Sequence, residues 1–145
     1  MLTPADMPPV YALVISTAGH LYIEDAGKRT LFLSGVLAGR ELGYEIRTVD
    51  EVTGMHGFLR GTVLFDLMMT HFRGSFDTFI GDWISDGTNL DEYNRLTALG
   101  RTPEDAARGT WTGRQLVRHG FATVAVFEQL GSVGRYGIVR TRFTK

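Results

Sequence analysis

Residues 53–72 read Thr53-Gly-Met-His-Gly-Phe-Leu-Arg-Gly-Thr-Val-Leu-Phe-Asp-Leu-Met-Met-Thr-His-Phe72. The first nine positions hold Gly54, Gly57 and Gly61. The apolar period then changes. Leu64, Leu67, Met68 and Phe72 recur at helical spacing, with Asp66, Thr70 and Arg73 between them. The stretch predicts a Gly-rich turn running into a helix that stops at Gly74. Backbone N–H groups at such a helix start suit an anion, and glycine lets a ligand come close to the chain. A tight strand-to-helix turn is the plainer alternative.

On the N-terminal side, short β-branched and aromatic runs are separated by Gly-bearing turns. Val10–Ser16, His20–Glu24, Thr30–Ala38 and Gly43–Asp50 read as an antiparallel meander of four strands. In the last of these, Tyr44, Ile46 and Val49 are expected in the core, with Glu45 and Arg47 on the other face. On the C-terminal side, Ser75–Ser85 reads as a strand carrying Phe76, Trp83 and Ile84. Strand, turn, helix, strand is a βαβ unit, which predicts parallel flanking strands. Asp82 in this apolar strand needs a partner, either in a site or on a neighbouring strand as Arg.

The last third predicts two helices and a hairpin. Asn89-Leu-Asp-Glu92 reads as an N-cap with a capping-box Glu, opening a helix with Leu90, Tyr93, Leu96 and Leu99 on one stripe and Gly100 at its end. Thr102-Pro-Glu-Asp opens a second helix toward His119 and Gly120. Gly109 and Gly113 inside it predict a break, or a surface where another backbone or a ligand comes close. Thr110-Trp-Thr-Gly-Arg114 is dense in ligand-contacting residue types, and also suits a turn with Trp111 in the core. Phe121–Glu128 and Tyr136–Phe143 are the hairpin strands. Arg135, Arg140, Arg142 and Lys145 read as a basic edge that protects the last strand from aggregation.

Composition bounds the rest. The 145 residues suit one domain, 1–145. The absence of cysteine excludes a disulfide scaffold, a thiolate zinc site and a Cys nucleophile. Fifteen basic and 16 acidic residues leave a net charge of −1, which argues against nucleic acid or an anionic membrane as partner, although a local patch survives the sum. His20, His71 and His119 lack metal-ligand spacing, so no metal site is expected. Without a signal-peptide pattern or an apolar run of about 20 residues, the chain reads as soluble and cytoplasmic.

The order of elements resembles the GNAT (Gcn5-related N-acetyltransferase) superfamily over roughly residues 10–145. His56-Gly-Phe-Leu-Arg-Gly-Thr-Val-Leu-Phe65 lies where these proteins place their phosphate-binding loop and the helix after it. Phe79-Ile-Gly-Asp-Trp-Ile84 corresponds to the next strand, and His119-Gly-Phe-Ala-Thr-Val124 to the Gly-Phe pair after the penultimate helix. Leu59 and His56 stand where the loop has glycine and Arg/Gln, and Leu116 where many members have a tyrosine general acid. The resemblance implies an α/β fold: a mixed twisted sheet of about seven strands with about three helices. It implies acetyl-CoA or a related acyl-CoA as co-substrate, with Phe58, Leu59, Arg60, Gly61 and Thr62 on its pyrophosphate. The acceptor would be a small-molecule or protein amine, with Glu45 or Asp50 as base and Asn89 or Tyr93 positioning cofactor or acceptor. A homodimer is compatible. The alternatives are a non-catalytic interaction module on the same fold that has lost CoA, and an enzyme of that fold with a different donor.

Overall fold

In the computed structural model the described residues are 3, 5, 7, 11–25, 31–46, 60–84 and 87–145. The α/β class holds, with seven strands and four helices among the described residues. The chain divides into two compact units, Met1–Phe76 and Asp77–Lys145. No helix among the described residues is long and apolar enough to cross a membrane.

In the first unit the segments between the Gly-bearing turns form β1 (Tyr11–Ile15), β2 (Leu21–Asp25), β3 (Leu31–Ala38) and β4 (Glu41–Ile46). Each pairs antiparallel with the next, as the meander reading requires. One face carries Leu21, Ile23, Leu33 and Leu42, all fully buried. Helix α1 (Gly61–His71) lies on that side: Phe65 meets the edge of the Tyr44 ring at 5.4 Å. Gly35 on β3 permits the approach, since a Cβ there would come within 2.7 Å of Phe72. Leu64, Phe65, Met68 and Met69 bury the apolar stripe of α1. His71 is also buried, and burial holds its imidazole below the usual pKa. Residues 47–59, including Val49 and most of the Gly-rich loop, lie outside the described residues.

In the second unit β5 (Thr78–Ile84), β6 (Thr123–Leu130) and β7 (Ile138–Thr144) form a sheet in which β7 pairs antiparallel with both others. That corrects the edge reading of the C-terminal strand. The terminal hairpin places β7 beside β5, so its basic residues face neighbours on both sides. Arg140 bonds Asp82 of β5 at 3.2 Å and Glu128 of β6 at 2.8 Å. Arg142 lies 4.4 Å from the Phe127 ring centre. Asp82 thus has the cross-strand Arg partner that was one of its two readings.

The last third holds three helices: α2 (Thr88–Ala98), α3 (Pro103–Gly109) and α4 (Trp111–Arg118). The expected helix from Thr102 to His119 breaks at Thr110, which is fully buried and serves both sides of the break. Its hydroxyl donates to Ala107 O at 2.8 Å, closing α3, and accepts from Gly113 N at 3.0 Å, opening α4. Thr102 caps α3 as expected, accepting from Asp105 N at 3.2 Å.

Candidate functional site

A free helix N-terminus presents backbone N–H groups with no intrahelical acceptor, and something must satisfy them. The four helices solve this differently. At α3 Thr102 accepts, with Glu104 and Asp105 in the first turn. At α2 Asp91 supplies a negative charge in the first turn. At α4 three side chains do so: Trp111 N donates to Glu92 Oε1 at 2.8 Å, Thr112 N to Asn89 Oδ1 at 2.9 Å, and Gly113 N to Thr110. At α1 there is no side-chain cap and no acidic residue in the first turn. Its N-cap is the exposed Arg60, and Gly61 and Thr62 begin the helix. Among the described helix starts, α1 is the one with neither a side-chain cap bond nor an acidic residue in its first turn.

Asp50, Phe58 and Leu59 lie outside the described residues. Glu45 sits on β4 opposite Ser34 of β3, and it is exposed. Its neighbour Tyr44 turns toward Phe65, so strand alternation puts Glu45 on the sheet face away from α1. The structure therefore does not bring Glu45 onto the same face as Gly61 and Thr62.

Asn89 and Tyr93 are on α2. The N-cap of α2 is Gly87, one residue before the helix begins, so Asn89 does not cap its own helix. Instead its amide grips α4 twice. Oδ1 accepts from Thr112 N, and Nδ2 donates to Thr112 Oγ1 at 2.7 Å. Glu92 completes the grip, bonding Arg114 at 2.9 Å through its second oxygen. A side chain with both amide ends committed is a structural clamp. Asn89→Ala is expected to cost about 1–2 kcal/mol, the typical worth of a lost N-cap bond plus an orphaned N–H. A urea titration measures it, and a loss within 0.5 kcal/mol (roughly the scatter of surface substitutions) would remove the clamp role.

Tyr93 is fully buried between Trp83 and Tyr136, at ring-centre distances of 6.2 and 5.8 Å. Its hydroxyl donates to Gln129 Oε1 at 2.6 Å. Burial, reinforced by Tyr136 and Glu104, pushes its pKa up to about 12. Thr112, Gly113 and Gln115 are buried as well, so the dense cluster from Thr110 to Arg114 is a helix–helix joint. Glu92, Thr110 and Gln129 were not singled out from the sequence for these contacts. Glu92 at three residues from Asn89 is the one local signal, and it pointed to a cap on α2.

No group of three metal-ligating side chains occurs among the described residues. The chain matches no protein-family model and no curated protein sequence. It is similar to one solved structure, "Crystal Structure of the AHL Synthase LasI", at 8% identity and a TM-score of 0.39, over 93% of this chain and 74% of that one; a likeness this loose assigns no residue a role.

Proposed function

We propose that the chain is an acyl-CoA-dependent N-acyltransferase that seats the cofactor's pyrophosphate on the N-terminus of α1. One observation carries the reading: α1 is a helix of 11 residues whose first turn holds Gly61 and Thr62, no cap and no acid, with Arg60 at its N-cap. An anion there is favoured by the orphan N–H groups and by the helix dipole. The element order supports it too: four antiparallel strands, a helix, a strand, helices and a terminal hairpin. Direct attack of an amine on the thioester needs the amine deprotonated and the leaving thiolate stabilised. Asp50 would take the proton, directly or through water; Glu45, on the sheet face away from α1, is the less suitable of the two expected bases. Asn89 and Tyr93 are left out of this reading, since both side chains are engaged in the packing of α2.

A second reading, a non-catalytic interaction module on the same fold that has lost CoA, is favoured by Leu116. That position is fully buried hydrocarbon where the resemblance implies a proton-donating tyrosine. The two readings separate by binding and turnover. Acetyl-CoA at about a hundred times Kd should raise stability by about 2.7 kcal/mol, or about 5–10 °C in Tm for a chain of this size. Gly61→Glu should abolish the shift by placing charge and bulk against the phosphates. No shift at millimolar acetyl-CoA refutes the cofactor site on α1 and selects the module. A shift that Gly61→Glu abolishes, with transfer of the acetyl group to an amine of a panel, selects the enzyme.

A further inference from the structure

The C-terminal end of α2 and the loop between β6 and β7 form one tip. Asn94 on α2 accepts from Tyr136 N at 2.7 Å and donates to Tyr136 O at 2.9 Å. Thr97 Oγ1 accepts from Gly134 N at 3.2 Å. Gly134 rests so close to Ala98 that a Cβ on it would come within 3.1 Å of the Ala98 methyl. The residues flanking this contact, Leu99 and Val133, are the most exposed large apolar side chains described, at 69% and 64%.

The charges at the tip have one sign. Residues 94–101 and 130–138 contain Arg95, Arg101 and Arg135 and no Asp or Glu. All three arginines are exposed. The nearest carboxylates along the chain are Glu92, which is bonded to Arg114 at 2.9 Å, and Glu128, which is bonded to Arg140 at 2.8 Å; Asp91 stands one helical turn before Arg95. Arg95 is one helical turn before Leu99 and shares its side of α2.

Two protruding apolar groups among three cations, beside a loop held to α2 by three hydrogen bonds and a packed glycine, make a prepared contact surface. We propose that this tip docks an acidic protein segment, with Leu99 and Val133 as anchors and Arg95, Arg101 and Arg135 pairing the segment's carboxylates. A second copy of the chain meeting it tip to tip would bring like charges together, which is unfavourable. A flat anionic bilayer fits less well. The adjoining sheet face carries the apolar row Ile84, Ile138 and Leu130, and the next row is Asp82, Arg140 and Glu128. A membrane that buried the first row would press two carboxylates against its own charge. Nucleic acid would leave Leu99 and Val133 without a matching apolar surface.

The test is fluorescence anisotropy of the full chain with a short labelled peptide in which Leu alternates with pairs of Glu. The same peptide with Lys for Glu, phosphatidylserine vesicles and a single-stranded oligonucleotide are run in parallel. The acidic peptide should bind saturably and the Lys peptide should not. Arg101→Glu/Arg135→Glu and Leu99→Ser/Val133→Ser should each weaken binding about tenfold or more. These positions are exposed, so unchanged thermal melts confirm that the variants fold. The proposal is overturned by no saturable binding of the acidic peptide, by equal binding in the variants, or by tighter binding to vesicles or oligonucleotide that is lost in the same variants.

Discussion

Gly113→Ala is expected to lower the unfolding free energy by about 3 kcal/mol, at the upper end of what overpacking costs. Gly113 is in the first turn of α4, and it faces the carbonyl end of α3. A Cβ on it would collide with Ala107 O, and would sit 2.7 Å from Arg108 O. Both are backbone atoms of a helix end whose geometry Thr110 fixes from both sides. Neither can turn aside as a side chain would. Gly109→Ala is the control. Its Cβ would meet only Leu96 Cδ1, at 2.6 Å, the free end of a flexible side chain. The better helix propensity of alanine, worth about 1 kcal/mol, offsets that contact. Urea titrations of the two variants should therefore differ by at least 2 kcal/mol (roughly two-thirds of the overpacking cost). Equal midpoints would mean that Gly113 is not a packing contact, and would return the cluster to the list of ligand surfaces.

The two glycine-rich places in the sequence thus part company. Gly109 and Gly113 could be read as a break or as a close approach, and both readings hold: the helix breaks at Thr110, and a backbone comes close at Gly113. Gly54, Gly57 and Gly61 lead into α1, whose helical period was plain from Leu64, Met68 and Phe72. The meander was legible because short β-branched and aromatic runs lie between turns that glycine marks. What the local pattern does not carry is which element lies beside which. Asn89 and Glu92 looked like a cap for their own helix because a capping box and a pair offered to another helix have the same spacing. Thr112 and Trp111, which they hold, lie 23 and 19 positions away from them. The basic residues of β7 looked like an edge because nothing within the strand says that β5 lies next to it. Glu45 was correctly placed opposite the core face. That face is also the one away from α1, a fact that only the Tyr44–Phe65 contact supplies. The helix start at Gly61 and Thr62 was legible from sequence, and the missing cap on it was not. Whether a helix end is capped depends on side chains that arrive from elsewhere, as at α4.

Alkaline titration is expected to show the other large effect, through Tyr93. Its folded pKa of about 12 lies above the ordinary value of 10.0, because burial first, and then Tyr136 and Glu104, disfavour the phenolate. The fold therefore favours the protonated form. The sign follows: below pH 10 both folded and unfolded chains hold the proton, and the contribution is fully present. Between about pH 10 and 12 the unfolded chain releases it and the folded chain does not, so stability falls. By pH 12 the loss from this one group is on the order of 2 kcal/mol. Tyr93→Phe has no proton to release. At neutral pH it should be less stable than the parent by about 1 kcal/mol, for the lost bond to Gln129. Above pH 11 it should become the more stable of the two. Curves that stay parallel from pH 9 to 12 would sink the assignment of a buried, proton-holding Tyr93. The same variant bears on the chemistry. A phenol that keeps its proton to about pH 12 and gives it to Gln129 in a closed core is poorly placed to exchange protons with a substrate near pH 7. Tyr93→Phe should then leave acetyl-CoA binding at α1 intact, together with any acyl transfer that depends on it. Loss of turnover with binding retained would make Tyr93 a participant after all, and would require that α2 open to admit the acceptor.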